Sequence, residues 1–385
     1  MHLTHIKLKN WRNFREAEAD LAQTAYLIGP NASGKSNLLD AFRFLREVAK
    51  PSGGGLQKAI KDRDGITKLR CLHARRDPEV RIEVHFKDKP DSEKVIWKYV
   101  LGFKSEGKGA HRLLVSTEEV WKGEECLLKR PDGDDNEDDQ LLTETHLEQT
   151  RANSQFRELA EFFSSITYLH LVPQLLKYDD KIGGKRLEDD PFGQGFLERI
   201  ARCPAKTRET RLTRIGKALQ AAVPQFKELK FVKDETTGHP HLEALYEHHR
   251  PNVGWQREEH FSDGTLRLLG ILWSLLDGNS PLLMEEPELS LNEEVVRQIP
   301  ALMARIQRSS KKRRQLIIST HSTALLSNPG IDGHSIVVLV PGAEGTIVRP
   351  INESEKAGLT AGLSVADVVL PQTRPMNVNQ LGLFG

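Results

Sequence analysis

Apolar residues along this chain change period several times, and each change marks an element. Ile6, Leu8, Trp11 and Phe14 stand among polar neighbours, and Ala25-Tyr26-Leu27-Ile28 follows as a short unbroken apolar run. Two early strands are expected there. Leu38, Leu39, Phe42 and Leu45 then recur at helical spacing, giving one face that can pack on a sheet. Residues 80–86, 95–103 and 113–121 mix β-branched and aromatic residues with polar ones, as strands of an antiparallel sheet would. Helical patterning is expected over 141–163 and again over 181–222, the latter broken by Gly183-Gly184 and by residues 191–195. A buried strand is expected at 166–172 between them, and an apolar helix at 268–276. The run Pro-Asp-Gly-Asp-Asp-Asn-Glu-Asp-Asp at 131–139 crowds like charge and offers nothing to bury, so a solvated, mobile loop is expected.

Composition narrows the class. With 385 residues and 38% hydrophobic content the chain can bury a sizeable core, and a net charge of +1 excludes a protein coated in basic residues. Cys71, Cys126 and Cys203 lie far apart and form neither a disulfide framework nor a zinc motif, which fits a reducing, cytoplasmic setting. The N-terminus lacks an apolar core of signal-peptide length, and the run near Leu268–Leu276 is too short to span a bilayer, so no membrane partner is expected. No heptads persist and no internal repeat is visible.

The chemistry begins directly after the Ala25–Ile28 run. Gly29-Pro30-Asn31-Ala32-Ser33-Gly34-Lys35-Ser36 fits G-x-x-x-x-G-K-[ST] at every fixed position. A buried strand enters this loop and a helix leaves it, which is the context that lets backbone amides surround phosphates. Asn31, Ala32, Ser33 and Gly34 are expected against a nucleoside triphosphate, Lys35 reaches its terminal phosphates as a point charge, and Ser36 offers a hydroxyl to Mg2+.

The second half of the chain supplies what such a loop needs. Leu282-Leu283-Met284 leads into Glu285-Glu286-Pro287-Glu288, an apolar strand ending in paired carboxylates. Glu285 is expected to hold Mg2+ and Glu286 to polarise the attacking water. Gln315-Leu316-Ile317-Ile318-Ser319-Thr320-His321 places His321 where a second apolar strand ends, at the sheet edge that binds ligands in open α/β folds. His321 reads either as a sensor of the γ-phosphate or as a capping residue. Ser262 of Ser262-Asp263-Gly264-Thr265 is a good N-cap for the following helix. Arg208, Arg211, Arg214 and Lys217 recur every third residue, as a strip for a phosphate backbone or as an ordinary solvated helix face. Residues 311–314, Lys-Lys-Arg-Arg, suit the C-terminus of a helix.

Taken in order, the phosphate loop, the Ser-Asp-Gly-Thr turn, the Leu-Leu-Met-Glu-Glu strand and the Ser-Thr-His strand resemble the ATP-binding-cassette ATPases. The likeness is to their RecF, structural-maintenance-of-chromosomes and overcoming-lysogenization-defect branch, whose opening strand Ile6–Phe14 resembles. It covers about residues 1–50 and 255–330 well and the middle loosely. The resemblance implies an α/β P-loop NTPase with a mixed central sheet, an antiparallel β subdomain and a helical insertion. Expected divisions are an N-terminal ATPase lobe at 1–130, an acidic loop and helical insertion at 131–255, a C-terminal ATPase lobe at 256–345 and a tail at 346–385.

By the same resemblance, the turn carrying Ser262 and Gly264 closes over ATP held by a second copy of the chain, and Gln174 contacts the metal. Asn292 then lies near the loop that signals across that interface. Arg12 and Tyr26 are candidates for contacts with base or phosphates, or for structural roles. Glu285 stands where the wider family has aspartate, and Asp263 replaces the first glycine of a Ser-Gly-Gly turn. No coiled-coil insertion or Toprim acidic triplet is present. The implied function is an ATPase with cofactors ATP and Mg2+, whose ATP-dependent homodimer controls DNA or a nuclease or toxin effector in prokaryotic anti-phage defence or DNA repair. The other readings are the ATP-binding subunit of a membrane transporter and a nucleotide-gated scaffold with little turnover.

Overall fold

A computed structural model describes residues 1–74, 77–106, 112–178, 190–247, 254–309 and 313–373. They form two compact units, one from residues 1–166, 315–323 and 331 onward, the other from 167–314 and 324–330. In chain order the strands are β1 (His2–Trp11), β2 (Phe14–Asp20), β3 (Thr24–Ile28), β4 (Val80–Lys87), β5 (Val95–Ser105), β6 (Leu113–Lys122), β7 (Glu125–Arg130) and β8 (Thr167–Leu169). They continue as β9 (Phe226–Lys233), β10 (Pro240–Tyr246), β11 (Gln256–Arg257), β12 (Leu282–Glu285), β13 (Leu316–Thr320), β14 (Ile336–Gly342) and β15 (Gly345–Arg349). The division expected between residues 345 and 346 falls inside β15.

In the first unit, an antiparallel sheet runs in the order β2-β1-β4-β5-β6-β7. β4, β5 and β6 lie where the alternating pattern puts them, and in β4 every second residue, Val80, Ile82, Val84 and Phe86, is fully buried. One sheet face is therefore core. Phe86 and Tyr99 pack against Phe163 of the helix Arg157–Ser165, with ring centroids 5.5 and 5.7 Å apart. Phe44, on the helix Lys35–Ala49, lies 5.2 Å from Trp11 and 5.4 Å from Phe103. That helix is therefore fixed to the sheet by aromatic packing. Arg12 pairs with Asp40 on it at 3.1 Å, where the side chain of Arg63 also binds.

A second sheet of this unit has β13 and β14 parallel to β3 on either side, with β15 antiparallel on the edge of β14. Ala25, Tyr26, Leu27 and Ile28 are all buried, so the unbroken apolar run belongs to a strand covered on both faces. Burial pushes the Tyr26 phenol up to about 12. The side chain belongs to the core, which favours its structural reading.

The acidic run is solvated as expected except at Asp135, and it carries a short helix in place of an irregular loop. Asp132 caps a short helix, Gly133–Glu137, in a reciprocal capping box with Asp135. Asp135 is only 3% exposed because Arg130, itself 2% exposed, holds it by three hydrogen bonds. Arg130 also donates to Glu118 at 3.1 Å and to the carbonyls of Glu144 and Leu141, both at 2.9 Å. Glu118 in turn accepts from the amides of His146 and Leu147 and from the Tyr99 hydroxyl. Counter-charge and a full set of hydrogen bonds make the burial of Asp135 tolerable and anchor a run whose other residues are exposed. Over 141–163 only the end is α-helical, at Arg157–Ser165. Upstream, Thr145 and Glu148 bond each other's backbone amides and Asn153 bonds the carbonyl of Leu147, and these local side-chain contacts compete with helix.

In the second unit β8 and β12 pair in parallel, and β9, β10 and β11 form a small antiparallel sheet. The apolar helix Asp263–Leu276 is buried along most of its length, with Trp273 edge-on to Phe196. On the helix Ala205–Ala222 the first two members of the basic row are engaged within the fold, while Arg214 and Lys217 are exposed. Arg208 lies 4.0 Å over Phe231, Arg211 lies over Trp273 and pairs with Asp277 at 2.8 Å, and Arg214 bonds Ser309. Cation–π packing and ion pairing take up Arg208 and Arg211, and the exposed Arg214 and Lys217 suit the solvated helix face. Lys311, Lys312 and the Gly183-Gly184 break lie outside the described residues. Arg314 is buried and donates to the carbonyls of Ser280 at 2.7 Å and Asp277 at 3.0 Å. No helix among the described residues is long and apolar enough to cross a membrane.

Candidate functional site

β3 runs directly into the phosphate loop, and the loop ends at the N-terminus of the helix Lys35–Ala49. Two residues make the turn in left-handed backbone, Ala32 at φ 63° and Gly34 at φ 94°. Glycine is required at both fixed positions. A Cβ on Gly29 would lie 2.6 Å from the carbonyl oxygen of Leu339, and one on Gly34 would lie 2.2 Å from the side-chain amide of Asn13. Lys35 is 6% exposed and its ammonium donates to the carbonyls of Gly29 at 2.8 Å and Pro30 at 3.0 Å, so the cation is drawn back over the loop. The hydroxyl of Ser33 is buried with no hydrogen-bond partner. Left-handed turn, helix N-terminus, ammonium and an unsatisfied hydroxyl all fit an anionic phosphate group.

Asn13 is the residue that sequence reasoning missed. It sits in the turn between β1 and β2, and its amide donates to the carbonyl of Ser33 at 3.1 Å and to Thr346 at 2.7 Å. Asn37, one turn into the helix, donates to its carbonyl oxygen at 2.7 Å. One side chain thus ties the loop, the helix and the edge hairpin together. The signal was present in Trp11-Arg12-Asn13-Phe14, a polar residue at a tight strand turn, but nothing local says what it reaches.

His321 follows the last residue of β13 and is exposed. The preceding Thr320 hydroxyl accepts from the amide of Ser322 at 3.1 Å, which turns the chain away from the strand.

In the second unit β12 ends at Glu285, whose carboxylate accepts a short hydrogen bond from the hydroxyl of Tyr168 on β8. Glu286 leaves the strand in left-handed backbone at φ 43°. For a non-glycine residue this costs about 1–3 kcal/mol, and such strain concentrates at functional positions. Glu288 is 8% exposed. Burial depresses the Arg267 guanidinium from its usual range, against the pull of Glu288, Asp263 and Glu286.

Ser262 caps the helix Asp263–Leu276 as expected, its hydroxyl accepting from the amide of Thr265 at 3.1 Å. Gly264 is pressed against the turn after the carboxylates, where an added Cβ would lie 2.6 Å from the carbonyl oxygen of Ser290. Asp263 is clamped by two side chains of the helix Pro173–Lys177, Gln174 at 2.6 Å and Lys177 at 2.7 Å. The structure therefore joins Gln174 to the Ser-Asp-Gly-Thr turn through its amide nitrogen. Asn292 caps the helix Glu293–Ser309 by accepting from the amide of Glu294 at 2.9 Å.

The family model described as AAA domain, putative AbiEii toxin, Type IV TA system matches residues 25–327. The chain belongs to this family. A second model, the P-loop containing region of the AAA domain, matches residues 3–45, which hold β1, the Asn13 turn and the phosphate loop. The chain is similar to DNA replication and repair protein RecF of Roseiflexus castenholzii, at 30% identity over 104 residues that make 25% of this chain and 26% of the relative. The RecF of Exiguobacterium sp. is 50% identical over 46 residues, 12% of each chain. The chain thus spans only a minor part of these relatives' length.

Among solved structures, the SMC head bound to the C-terminal winged-helix domain of ScpA aligns at a TM-score of 0.54 and 13% identity, covering 92% of this chain and 100% of that one. The SMC head with an extended coiled coil, bound to the C-terminal domain of ScpA derived from Pyrococcus furiosus, aligns at 0.53 and 12% identity, covering 94% and 99%. At such identities the likeness is one of fold. The RecF- and SMC-like ATPase fold expected from the motifs is borne out, and the chain is a P-loop ATPase of this family.

Proposed function

We propose that the chain binds ATP with Mg2+ at the Gly29–Ser36 loop, hydrolyses it, and couples the ATP-bound state to pairing of two copies. The observation that carries this reading is the loop itself, where Gly29 and Gly34 leave no room for a side chain and Lys35 lies across the turn. Amides of Asn31–Gly34 and the start of the helix Lys35–Ala49 bind the phosphates, and Lys35 exchanges its carbonyl partners for phosphate oxygens.

Bound Mg2+ would neutralise charge growing on the outer phosphate oxygens. Ser36, Glu285 and the amide oxygen of Gln174 are hard oxygen donors of the type it takes. Glu286 accepts the proton of the attacking water as that oxygen bonds to the γ-phosphorus and the bond to the ADP oxygen breaks. His321 donates to the departing phosphate. Ser262 and Gly264 of one copy close over the nucleotide of the other, so ATP links the pair and hydrolysis releases it.

The assembly controls a partner, either DNA or a nuclease or toxin effector, in prokaryotic defence or DNA repair. The names of the family and of the RecF relatives support that reading. A cytoplasmic setting without a membrane partner accords with three dispersed cysteines.

The deciding experiment replaces Glu286 by Gln. Nucleotide affinity should persist, phosphate release should fall by about 100-fold or more, and light scattering should show dimer accumulating with ATP. A mass that stays monomeric at saturating ATP removes the pairing step. Unchanged turnover removes Glu286 as the base.

A further inference from the structure

Three helices of the second unit, Ala205–Ala222, Asp263–Leu276 and Glu293–Ser309, enclose an open groove of about 1050 Å3. Its floor is apolar and buried, made by Ile215, Leu268, Leu272 and Ile299. Ala218, Leu302 and Ile306 line the walls and are only half-buried. The rim is cationic. Arg214, Lys217 and Arg305 stand around the opening, and Glu294, the one acid among the described lining residues, pairs with Arg297 at 2.9 Å.

A helix with its side chains occupies a cylinder roughly 10 Å across, so one turn takes about 420 Å3 and the groove suits two to three turns. Alanine at 218, 221 and 222 lets a visiting helix approach the Ala205–Ala222 backbone closely. An apolar floor between basic rims selects one kind of occupant.

We infer that this groove docks an acidic amphipathic helix of a partner protein, with apolar residues at i, i+3, i+4 and i+7 on the floor and carboxylates along the flanks facing Lys217 and Arg305. Peptide binding is read without nucleotide, so its failure is distinguishable from failure of the ATPase reading.

The test uses the full chain and a labelled helical peptide with leucine at i, i+3, i+4 and i+7 and glutamate on both flanks, followed by anisotropy without nucleotide. The glutamate peptide should bind, and a lysine-flanked version should bind about ten-fold more weakly. The exposed double variant Lys217→Glu/Arg305→Glu should reverse that preference, and Leu302→Glu should weaken the glutamate peptide. Circular dichroism checks that each variant folds. Equal binding of both peptides, or no effect of the charge reversal, overturns the proposal. It also falls if the same variants abolish self-association or DNA binding while peptide binding is absent, since the occupant is then a second copy or a nucleic acid.

Discussion

Thr320 stands level with Ile28 in the parallel pairing of β13 with β3. Both strands end at this level, β3 passing into the phosphate loop at Gly29 and β13 passing into His321. The relation is a matter of register, so it depends on backbone hydrogen bonds and not on any contact of the imidazole. A one-residue slip that drew His321 to the level of Thr320 would place the imidazole in a strand whose residues, Leu316–Thr320, are all buried. The parallel arrangement is what puts the ends of both strands at one edge, the edge where open α/β sheets take ligands.

The His321→Ala variant should therefore retain ATP affinity and lose turnover by about 100-fold, the scale of a lost donor to developing charge. His321→Gln, which keeps a donor, should recover part of it. Phosphate release and equilibrium nucleotide binding separate the two effects. A loss confined to affinity would place the histidine in ground-state binding.

Gly264→Ala probes the turn that lies on Ser290. The added methyl meets a backbone carbonyl at 2.6 Å, which cannot swing aside as a side chain would. The Ser-Asp-Gly-Thr turn must move relative to the turn after Glu286, while the phosphate loop, in the other unit, keeps its sequence and its Asn13 support. ATP binding should survive, and ATP-induced pairing and turnover should fall together. Normal light scattering and normal turnover in this variant would show that the turn takes no part in either.

Much of this was legible because the information is local. The G-x-x-x-x-G-K-[ST] loop, the alternation of β4 and the Ser262 cap each lie within a few residues of what they specify. What escaped was set by partners distant in sequence. The burial of Asp135 within the acidic run escaped because its partner network, Arg130 with Glu118 and the turn at 141–147, depends on β6 and β7 pairing so that Glu118 faces Arg130. Asn13 likewise reaches Thr346 across 333 positions, a contact no window of sequence can show. The basic row on Ala205–Ala222 had one spacing but two contexts, Arg208 and Arg211 packing on the rings of Phe231 and Trp273 while Arg214 and Lys217 stay exposed.

Arg130→Met should cost about 3–5 kcal/mol, because it leaves Glu118 and Asp135 buried without a counter-charge. Asp132→Ala, which removes only the cap of Gly133–Glu137, should cost about 1 kcal/mol. Urea unfolding of the two variants checks the ratio. Equal, small losses would mean that the buried trio contributes no more than an exposed ion pair.

Glu148 predicts the sign of a pH effect. Its carboxylate accepts from the amides of Leu56 and Thr145, each at 2.7 Å, and so joins two stretches of the first unit. Burial pushes it up to about 7 from 4.5, with Glu144 and Glu118 adding to the shift and the two amides opposing it. The folded chain therefore holds this proton more tightly than the unfolded chain. The stabilisation is complete below pH 4.5 and is lost as pH rises toward 7. His2 and His146 are both lowered by burial first and act in the opposite direction in the same window, so the wild-type profile alone is a sum. The readout is the difference in Tm between wild type and Glu148→Gln, which has no proton to release. That difference should shift against the wild type by several degrees from pH 5 to pH 8 at constant ionic strength. Parallel profiles would mean that the carboxyl titrates in the folded chain as it does in the unfolded one.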